Sequence, residues 1–447
     1  MFAVRTDVEL KESLLARLAD ARAQTDTLFD VVRADSLYDR PIAERHRIVF
    51  YLGHLEAFDW NLLREPFLNR KTFQPEFDRL FAFGIDPVGG GLPVDQPADW
   101  PSLAEIHRYV SRVRQSLDDG LSAAFSFGAK LHDERDDFPA SLLLNVAIEH
   151  RLMHAETLAY MIHRLPLEQK HREPGTPALV ARPVAPAMLE IPAGSITLGL
   201  SRIDRARFGW DNEYEAHHVT VPAFAMDQYK VSNGQYLEFV AAGGYENQAL
   251  WSENGWNWRA ENGISHPAFW KRIGKRWYFR SMFDKFPLPL EWPVYVSYAE
   301  ASAFARWAGK VLPTEAQWQR AAYGTPQGSE RMYPWGTEAP GRMHGNFDFH
   351  GWDPAPLSAF PENRSAFGVT GMLGNGWEWT SSVFGPFSGF KPFAFYPGYS
   401  ANFFDGSHYV VKGGSARTAA CLLRRSFRNW FQPHYPYIYA GFRCVSQ

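Results

Sequence analysis

Three histidines are the clearest candidates for a reactive or ligand-binding site in this sequence. His150 and His154 lie four residues apart in an apolar segment, so on an α-helix their imidazoles project from the same face, one turn apart. A third histidine, His54, lies in an earlier apolar stretch and is expected to face the interior. Glu156, two residues after His154, points elsewhere and is a candidate outer hydrogen-bond partner. If the three imidazoles converge, they form a candidate metal site.

This histidine set has alternative interpretations. The chain contains 15 histidines, so a pair at this spacing can arise by chance, and a single buried histidine such as His54 is often a hydrogen-bonded core residue. Three neutral imidazoles leave about three open positions on a six-coordinate metal, which suits Fe(II) with a thiolate or selenolate and O2 as further ligands. Zinc on three histidines instead favours hydrolysis. Spacing alone does not distinguish the two metals.

The element that must position these histidines is a helical bundle. Apolar residues recur at three- and four-residue intervals between residues 8 and 165, which is the period of amphipathic helices. We therefore predict a four-helix bundle over residues 1–165. Its helices are expected at 10–28, 42–63, 103–121 and 140–165. The Gly- and Pro-rich stretch 84–93 predicts a long crossover, and the prolines recurring over 166–187 predict a linker.

Residues 188–447 follow a different pattern, with abundant Gly, Pro, Asn, Trp and Tyr and only short candidate strands. Helices are predicted at 298–308 and at 314–322, the second with Thr314 as its N-cap. Aromatic side chains, which make up 15% of the chain, are expected to fill the core of this half. Together with the bundle, this pattern predicts an α+β protein of two domains.

Composition excludes several classes of partner. The net charge of −3 provides no bulk attraction to nucleic acid or to an acidic membrane surface. No run reaches the roughly 18 apolar residues of a membrane span, and residues 1–18 carry charges throughout, so we expect no signal peptide and a cytoplasmic protein. Only two cysteines, Cys421 and Cys444, are present, which excludes a disulfide framework and a cysteine-rich metal site.

Ordered motifs in the second half carry a family resemblance. They are Ile-Pro-Ala-Gly at 191–194, Phe-Gly-Trp-Asp-Asn-Glu at 208–213, Leu-Pro-Thr-Glu-Ala-Gln-Trp at 312–318, Tyr-Pro-Trp-Gly at 333–336, Gly-Asn-Gly-Trp-Glu-Trp at 374–379, Gly-Gly-Ser at 413–415 and Gly-Phe-Arg at 441–443. With these motifs the half resembles the formylglycine-generating enzymes (sulfatase-modifying factors), which have a loop-rich, C-type-lectin-like fold. That family holds copper with a pair of nearby cysteines. Cys421 and Cys444 are not such a pair, so the resemblance implies the fold and not that activity.

A DinB-like bundle with a His-x3-His-x-Glu motif, fused to this fold, is similar to the EgtB-type ergothioneine sulfoxide synthases. The resemblance implies a non-haem Fe(II) enzyme that uses O2. Such an enzyme forms a C–S or C–Se bond at the imidazole C2 of hercynine, which is trimethylhistidine. It also implies that His54, His150 and His154 are the iron ligands.

The same resemblance implies roles for residues near the C-terminus. Tyr396 corresponds to a tyrosine that donates a proton or hydrogen atom during the reaction, and Tyr399 to one that contacts hercynine. Arg428, Asn429 and Trp430 correspond to the substrate pocket. An aromatic face suits a trimethylammonium group, because that group cannot form hydrogen bonds. The alternative interpretation of Tyr396 and Trp430 is plain core packing.

Departures from the family pattern bear on the sulfur or selenium donor. Segment 83–97 contains none of the arginines that hold γ-glutamylcysteine in relatives, and Phe431 replaces an acidic residue expected after the Asn-Trp pair. A donor with two carboxylates and an ammonium would leave charges unpaired, at a cost of several kcal/mol. Met153 also replaces a glutamine that contacts substrate in some relatives.

A neutral donor fits these departures. The chain is similar to the SenA-type selenoneine synthase branch, which couples hercynine to a selenosugar. Phe431, Tyr435 and Tyr437 are candidates for stacking on the sugar. Cysteine is the main alternative donor. Two alternatives from other classes are a formylglycine-type protein modifier, which the missing cysteine pair disfavours, and a non-catalytic ligand-binding module.

Overall fold

The chain divides into two compact units, Met1–Glu173 and Pro174–Gln447, here called the helical unit and the mixed unit. The computed structural model describes residues 7–83, 92–131, 138–172, 179, 182–204 and 207–446. Long helices dominate the helical unit, and short strands and short helices make up the mixed unit, which confirms the predicted α+β class. Within the described ranges, no helix is both long and apolar enough to cross a membrane.

Five helices form the described part of the helical unit. They are α1 (Asp7–Val31), α2 (Ile48–Leu63), α3 (Pro75–Phe83), α4 (Leu103–Ser126) and α5 (Ala140–Arg164). Helix α2 packs against α3, α4 and α5, and α1 packs against α5. The two helices that carry the candidate histidines, α2 and α5, are therefore in direct contact. The four predicted long helices are confirmed, with α2 starting at Ile48 instead of residue 42.

Two features of the helical unit differ from the sequence prediction. Helix α2 starts late because Arg47 has an extended backbone and its guanidinium donates to Asp95 and to the backbone oxygen of Tyr38. These bonds hold the preceding segment outside the helix. The short helix α3 is absent from the prediction because its 9 residues are too few to show a clear period. It begins at Pro75, a position where a missing backbone N–H is tolerated.

The first residues of the predicted linker pack on the bundle. The backbone N–H of His171 donates to the oxygen of Val31 at 2.7 Å, and that of Arg33 donates to the oxygen of Gln169 at 3.0 Å. Proline-rich composition therefore overestimates the linker, because residues up to 171 are tied to the end of α1. Most of the crossover predicted over 84–93 lies outside the described residues.

A buried ion cluster joins α5 to α2. Arg151, which is 0% exposed, donates to Glu56 at 3.0 Å, to Asp59 at 2.7 Å and to the backbone oxygen of Leu55 at 3.0 Å. Arg114 on α4 provides a second cation for Glu56, at 2.8 Å. Because the three acceptors that Arg151 reaches at these distances lie on α2, the cluster fixes the register between α5 and α2.

The described strands of the mixed unit form small sheets. They are β1 (Met188–Ile191), β2 (Gly194–Leu198), β3 (His217–Val221), β4 (Phe224–Asp227), β5 (Trp270–Ile273), β6 (Arg276–Arg280), β7 (Lys285–Pro287), β8 (Trp377–Val383), β9 (Tyr409–Lys412), β10 (Asn429–Phe431), β11 (Ala440–Gly441) and β12 (Val445–Ser446). The sheet orders are β1-β4-β12, β10-β9-β8-β11, β2-β3 and β5-β6-β7. Strand β11 pairs with β8 in parallel, and β10 pairs with β9 so that Trp430 lies opposite Val410.

The helices of the mixed unit are only partly predictable. They are α6 (Asn233–Ala241), α7 (Glu253–Glu261), α8 (Tyr298–Trp307) and α9 (Glu315–Tyr323). Helices α8 and α9 confirm the prediction, and Thr314 is the expected N-cap, its hydroxyl accepting from the N–H of Gln317 at 3.1 Å. Helices α6 and α7 are absent from it because Gly234 and Gly255 fall in their first turns and weaken the helical signal.

Replacing Arg151 tests the buried cluster. We expect Arg151→Met to lower the free energy of unfolding by about 3–5 kcal/mol, because Asp59 and Glu56 are left buried without their main counter-charge. Urea denaturation followed by far-UV circular dichroism measures this loss. As a control, Lys11→Ala removes a partly exposed ion pair with Asp7 and should cost less than about 1 kcal/mol. An equally small loss for Arg151→Met would contradict the cluster's structural role.

Candidate functional site

The structure brings the three candidate histidines together. The Nε2 atoms of His54 and His154 are 3.3 Å apart, and one ring nitrogen from each of the three histidines lies within 4.8 Å of the other two. The ring centroids of His150 and His154 are 4.5 Å apart, as their spacing on α5 predicts. His54 and His150 are buried and His154 is half-buried. Helices α2 and α5 therefore present three imidazole nitrogens to one point.

The carbonyl of Phe81, near the end of α3, orients His54. The distance from His54 Nδ1 to this oxygen is 2.6 Å, and because a carbonyl only accepts, the proton is assigned to Nδ1. Nε2 then carries the free lone pair that a metal needs. The close approach of α3 depends on Gly53, where a Cβ would lie 2.5 Å from the Phe81 ring. A helix that sequence periodicity misses thus sets the tautomer of a candidate ligand.

Aromatic rings hold the imidazoles in place. Phe58 stacks on His150 with centroids 3.4 Å apart and an interplanar angle of 10°, and Phe50 stacks on His54 at 4.7 Å. Such packing restricts rotation of the imidazoles, so they keep their mutual geometry before any ligand arrives.

Burial keeps the three imidazoles neutral. It lowers the pKa of His54 to about 4, with the bond to Phe81 opposing the shift and nearby cationic groups, including Arg151, adding to it. Burial also places the pKa of His150 and of His154 well below the usual value, and the neighbouring imidazoles and Arg151 lower it further. Since only a neutral imidazole binds a metal, the three groups are ready to coordinate one without losing a proton.

This donor set fits a divalent transition metal. The cluster contains three imidazoles and, among the described residues, no carboxylate within it. Imidazole nitrogens suit iron, zinc, copper and nickel, so the geometry supports a metal centre without selecting the metal. Glu156 is also buried on α5.

The mixed unit contains a second group of predicted residues. The ring centroids of Tyr396 and Tyr399 are 5.6 Å apart, and Tyr399 meets Trp430 edge-on at 5.5 Å. Trp210 stacks on Tyr399 at 4.0 Å, and Phe384 stacks on Trp430 at 4.0 Å with an angle of 7°. Each of these two rings is thus held in orientation by a stacked neighbour, and an electron-rich aromatic face is a suitable partner for a flat or cationic ligand.

Two further predicted residues are engaged within the protein. Arg428 is buried and its Nε donates to Glu315 at 3.0 Å, so its charge is balanced internally and its contacts favour a supporting role. The Oδ1 of Asn429 accepts from the backbone N–H of Trp430 at 2.9 Å. The group that Asn429 can offer a ligand is therefore its Nδ2 amide.

Phe431 lies on a different side of β10 from Trp430, which contacts Tyr399. Successive residues of a strand point to opposite faces, so Phe431 and Trp430 project from different sides of β10. The Phe431 ring is parallel to Tyr435 at 6.0 Å, and Tyr435 meets Tyr437 edge-on at 5.0 Å. The predicted substrate residues thus form two aromatic groups, one around Trp430 and one around Phe431.

Sequence reasoning missed several residues beside these rings. Phe403 lies 5.5 Å from Trp430, and Trp210 and Phe384 provide the stacking faces. Asp211, next to Trp210, is 0% exposed. The one available signal was the motif at 208–213, which contains Trp210 and Asp211 but was used only for fold resemblance.

The cysteines do not form a metal-binding pair. Neither Cys421 nor Cys444 takes part in a disulfide, and burial raises the pKa of the Cys444 thiol. Thiolates are the form that binds metals, and a buried neutral thiol does not offer one.

Comparison with known proteins places both units. Residues 17–158 match the DinB superfamily, and residues 175–447 match the sulfatase-modifying factor enzyme 1-like domain. Over its length the chain is 37% identical to a hercynine oxygenase of Mycobacterium tuberculosis, with 97% of this chain and 98% of that protein covered. The chain belongs to the hercynine oxygenase family. The predicted resemblance to this EgtB-type family is thereby confirmed.

Other relatives define the limits of the likeness. A hercynine oxygenase of Mycolicibacterium thermoresistibile is 34% identical, with 97% of this chain and 95% of that protein covered. A formylglycine-generating enzyme of Mycobacterium tuberculosis is 31% identical but covers only 44% of this chain and 75% of its own length. Similarity to hercynine oxygenases therefore spans both units, whereas similarity to this formylglycine-generating enzyme extends over less than half of the chain.

Removing one histidine tests the metal site. We expect His150→Ala to lose Fe(II) loading, because two imidazoles remain where three converge. The metal content after anaerobic loading and desalting, measured by mass spectrometry, gives the answer. His107→Ala, which changes an exposed histidine of α4, should load like the unaltered protein. Full iron content in folded His150→Ala would exclude His150 as a ligand.

Proposed function

We propose that this member of the hercynine oxygenase family is a non-haem Fe(II) enzyme that uses O2 to form a C–Se or C–S bond at the imidazole C2 of hercynine. In this proposal His54, His150 and His154 hold the iron. The observation that carries it is the cluster of three imidazoles, two buried and one half-buried, that bring one ring nitrogen each within 4.8 Å of the others. Relatives named hercynine oxygenases, similar over both units, support hercynine as the substrate.

The proposed roles follow from the chemistry of each group. Bound Fe(II) would supply the activation of O2 and would favour the deprotonated form of a thiol or selenol donor. Three histidines bring no negative charge to the site, so an anionic donor can balance the metal charge. The Phe81 carbonyl and the stacked phenylalanines keep His54 and His150 oriented throughout.

Hercynine binding is assigned to the rings around Trp430. Its trimethylammonium group would lie against the Trp430 ring, with Tyr399 beside it and the Nδ2 amide of Asn429 as a hydrogen-bond donor to the carboxylate. Tyr396 would donate a proton or hydrogen atom. Burial and the negative charge of Asp211 raise the pKa of Tyr396, which favours the protonated phenol that this role needs.

A donor that carries no charge apart from its sulfur or selenium atom, most simply a selenosugar, agrees with the charges present. Segment 83–97 contains no arginine or lysine, and its Asp95 is paired with Arg40 and Arg47. Arg428, which precedes the Asn-Trp pair, is neutralised by Glu315. The parallel rings of Phe431 and Tyr435 offer apolar faces to a sugar. These features support a selenoneine synthase, with cysteine as the alternative donor.

A donor competition in one vessel tests the proposal. Iron-loaded protein would be mixed with hercynine, O2, a selenosugar, cysteine and γ-glutamylcysteine, and the products separated by mass. We expect a selenium-containing hercynine adduct in excess, because charged donors leave carboxylates unpaired. A predominant cysteine adduct would reject the selenosugar but keep the bond-forming reaction. Absence of any hercynine adduct, with iron bound, would reject the enzymatic function.

A substitution at Trp430 tests the hercynine site. We expect Trp430→Leu to weaken hercynine binding by about 2- to 30-fold, the equivalent of a cation–π contact of about 0.5–2 kcal/mol. Calorimetric titration with hercynine measures the change. Binding of histidine, which lacks the quaternary ammonium, should weaken less.

The control for Trp430 is Trp335→Leu. Trp335 stacks on the rings of Tyr333 and His344, so its loss removes a comparable aromatic surface elsewhere in the mixed unit. Equal hercynine affinity in the Trp430 variant and in this control would place the trimethylammonium group away from Trp430.

A further inference from the structure

The candidate proton donor Tyr396 and the candidate hercynine contact Tyr399 lie on a segment with little support of its own. Residues 393–400, here called the tyrosine turn, contain Tyr396 and Tyr399 but no helix or strand. Local bonds join the N–H of Tyr396 to the oxygen of Phe393 at 3.0 Å and the N–H of Tyr399 to the oxygen of Tyr396 at 3.2 Å. Its side chains are exposed or half-buried until Ser400, which is 0% exposed. Such a segment holds its shape only through contacts from elsewhere.

One carboxylate reaches both ends of the tyrosine turn. Asp211 begins a short 3-10 helix (Asp211–Glu213) and is 0% exposed. The hydroxyl of Ser400 donates to its Oδ1, and the backbone N–H of Phe393 donates to the same carboxyl group. Charge-assisted hydrogen bonds of this kind are about twice as strong as neutral ones.

The platform under Asp211 is itself rigid. Trp210 is 0% exposed and stacks on Tyr399 at 4.0 Å with an interplanar angle of 27°. Glu213 closes the 3-10 helix by accepting from the N–H of Trp210 at 2.8 Å, and it is held by Ser426 at 2.7 Å and by Arg424 at 2.9 Å. The tyrosine turn thus rests on a fixed, buried element that is distant in sequence.

We propose that Asp211 is a positioning residue that fastens both ends of the tyrosine turn and so places Tyr396 and Tyr399 for the reaction. This inference rests on the proposed role of Tyr396. Loss of the carboxylate would release the turn while the rest of the mixed unit remained folded. Misplacing a reacting group by about 1 Å can lower a rate by about 100-fold.

The charge of Asp211 has a second effect. It acts together with burial to raise the pKa of Tyr396, so the phenol stays protonated to higher pH. Ionisable groups near the turn in the described part of the chain include Tyr399, Glu213 and Arg424, and Arg424 pairs with Glu213. An asparagine at position 211 separates the two effects, because its amide oxygen can accept the same hydrogen bonds without carrying the charge.

Hydrogen exchange and kinetics of three variants test the proposal. In Asp211→Ala we expect faster amide exchange of peptides covering 393–400 and a fall in kcat of about 10- to 100-fold, with metal content unchanged. Asp211→Asn should restore most of the exchange protection and rate. The pH at which its activity falls on the alkaline side should be lower than in the unaltered protein, because the charge that raises the pKa of Tyr396 is gone. Ser400→Ala, which removes one of the two bonds, should lie between Asp211→Ala and the unaltered protein, and it serves if Asp211→Ala does not fold.

A matched control is Ser232→Ala, which removes the N-cap of α6, a hydroxyl that accepts from the backbone N–H of Gln235 at 3.1 Å. It should lower stability without changing exchange of the tyrosine turn. Unchanged exchange at 393–400 in both Asp211→Ala and Ser400→Ala would overturn the proposal. Exchange does not depend on turnover, so this result is distinct from failure of the proposed reaction, which would show as no product from the unaltered protein.

Discussion

Arg151 sits without solvent exposure on the helix that carries His150 and His154, and its positive charge must be balanced inside the bundle. The balance comes from Glu56 and Asp59 on α2, which both follow His54 within the same helix. Moving α5 by one turn along α2 would strand these charges, which is far costlier than losing a few apolar contacts. The convergence of histidines from two helices is therefore a consequence of where one buried cation finds its partners.

The mixed unit solves a similar problem with other residues. Its strands are short and much of its chain is irregular, so buried ion pairs hold the loops. Arg443 with Glu378, Arg428 with Glu315 and Arg424 with Glu213 link segments far apart in sequence. Arg428, which by family resemblance belongs to the substrate pocket, has its charge balanced by one of these internal pairs. The rings of Tyr399 and Trp430 are then presented by a scaffold whose rigidity comes from charge as much as from packing.

Periodicity and spacing predict much of the fold and the core of the candidate site. The amphipathic pattern identifies the four long helices, and the four-residue interval of His150 and His154 places two imidazoles on one face. Thr314 is recognisable as an N-cap because its partner is three residues away. Each of these signals is local, and that is why it can be read from the sequence.

What the sequence does not predict depends on partners far along the chain. The hydrogen bond of Phe81 to His54 spans 27 residues, and that of Ser400 to Asp211 spans 189. Helix α3 is too short to have a period, and the face to which Phe431 points depends on where β10 begins. Residues 84–91, central to the argument about the donor, lie outside the described ranges.

The contact between Gly53 and Phe81 also links the position of helix α3 to the tautomer of His54. The carbonyl that sets the tautomer of His54 belongs to Phe81, two positions before Phe83, where α3 ends. A substitution that displaces the end of α3 would therefore also displace the hydrogen-bond acceptor of His54. Changes to the protein near this helix therefore have to keep the last turn of α3 in contact with Gly53. That turn holds the carbonyl that fixes the tautomer of His54, and so the nitrogen lone pair that His54 can offer to a metal.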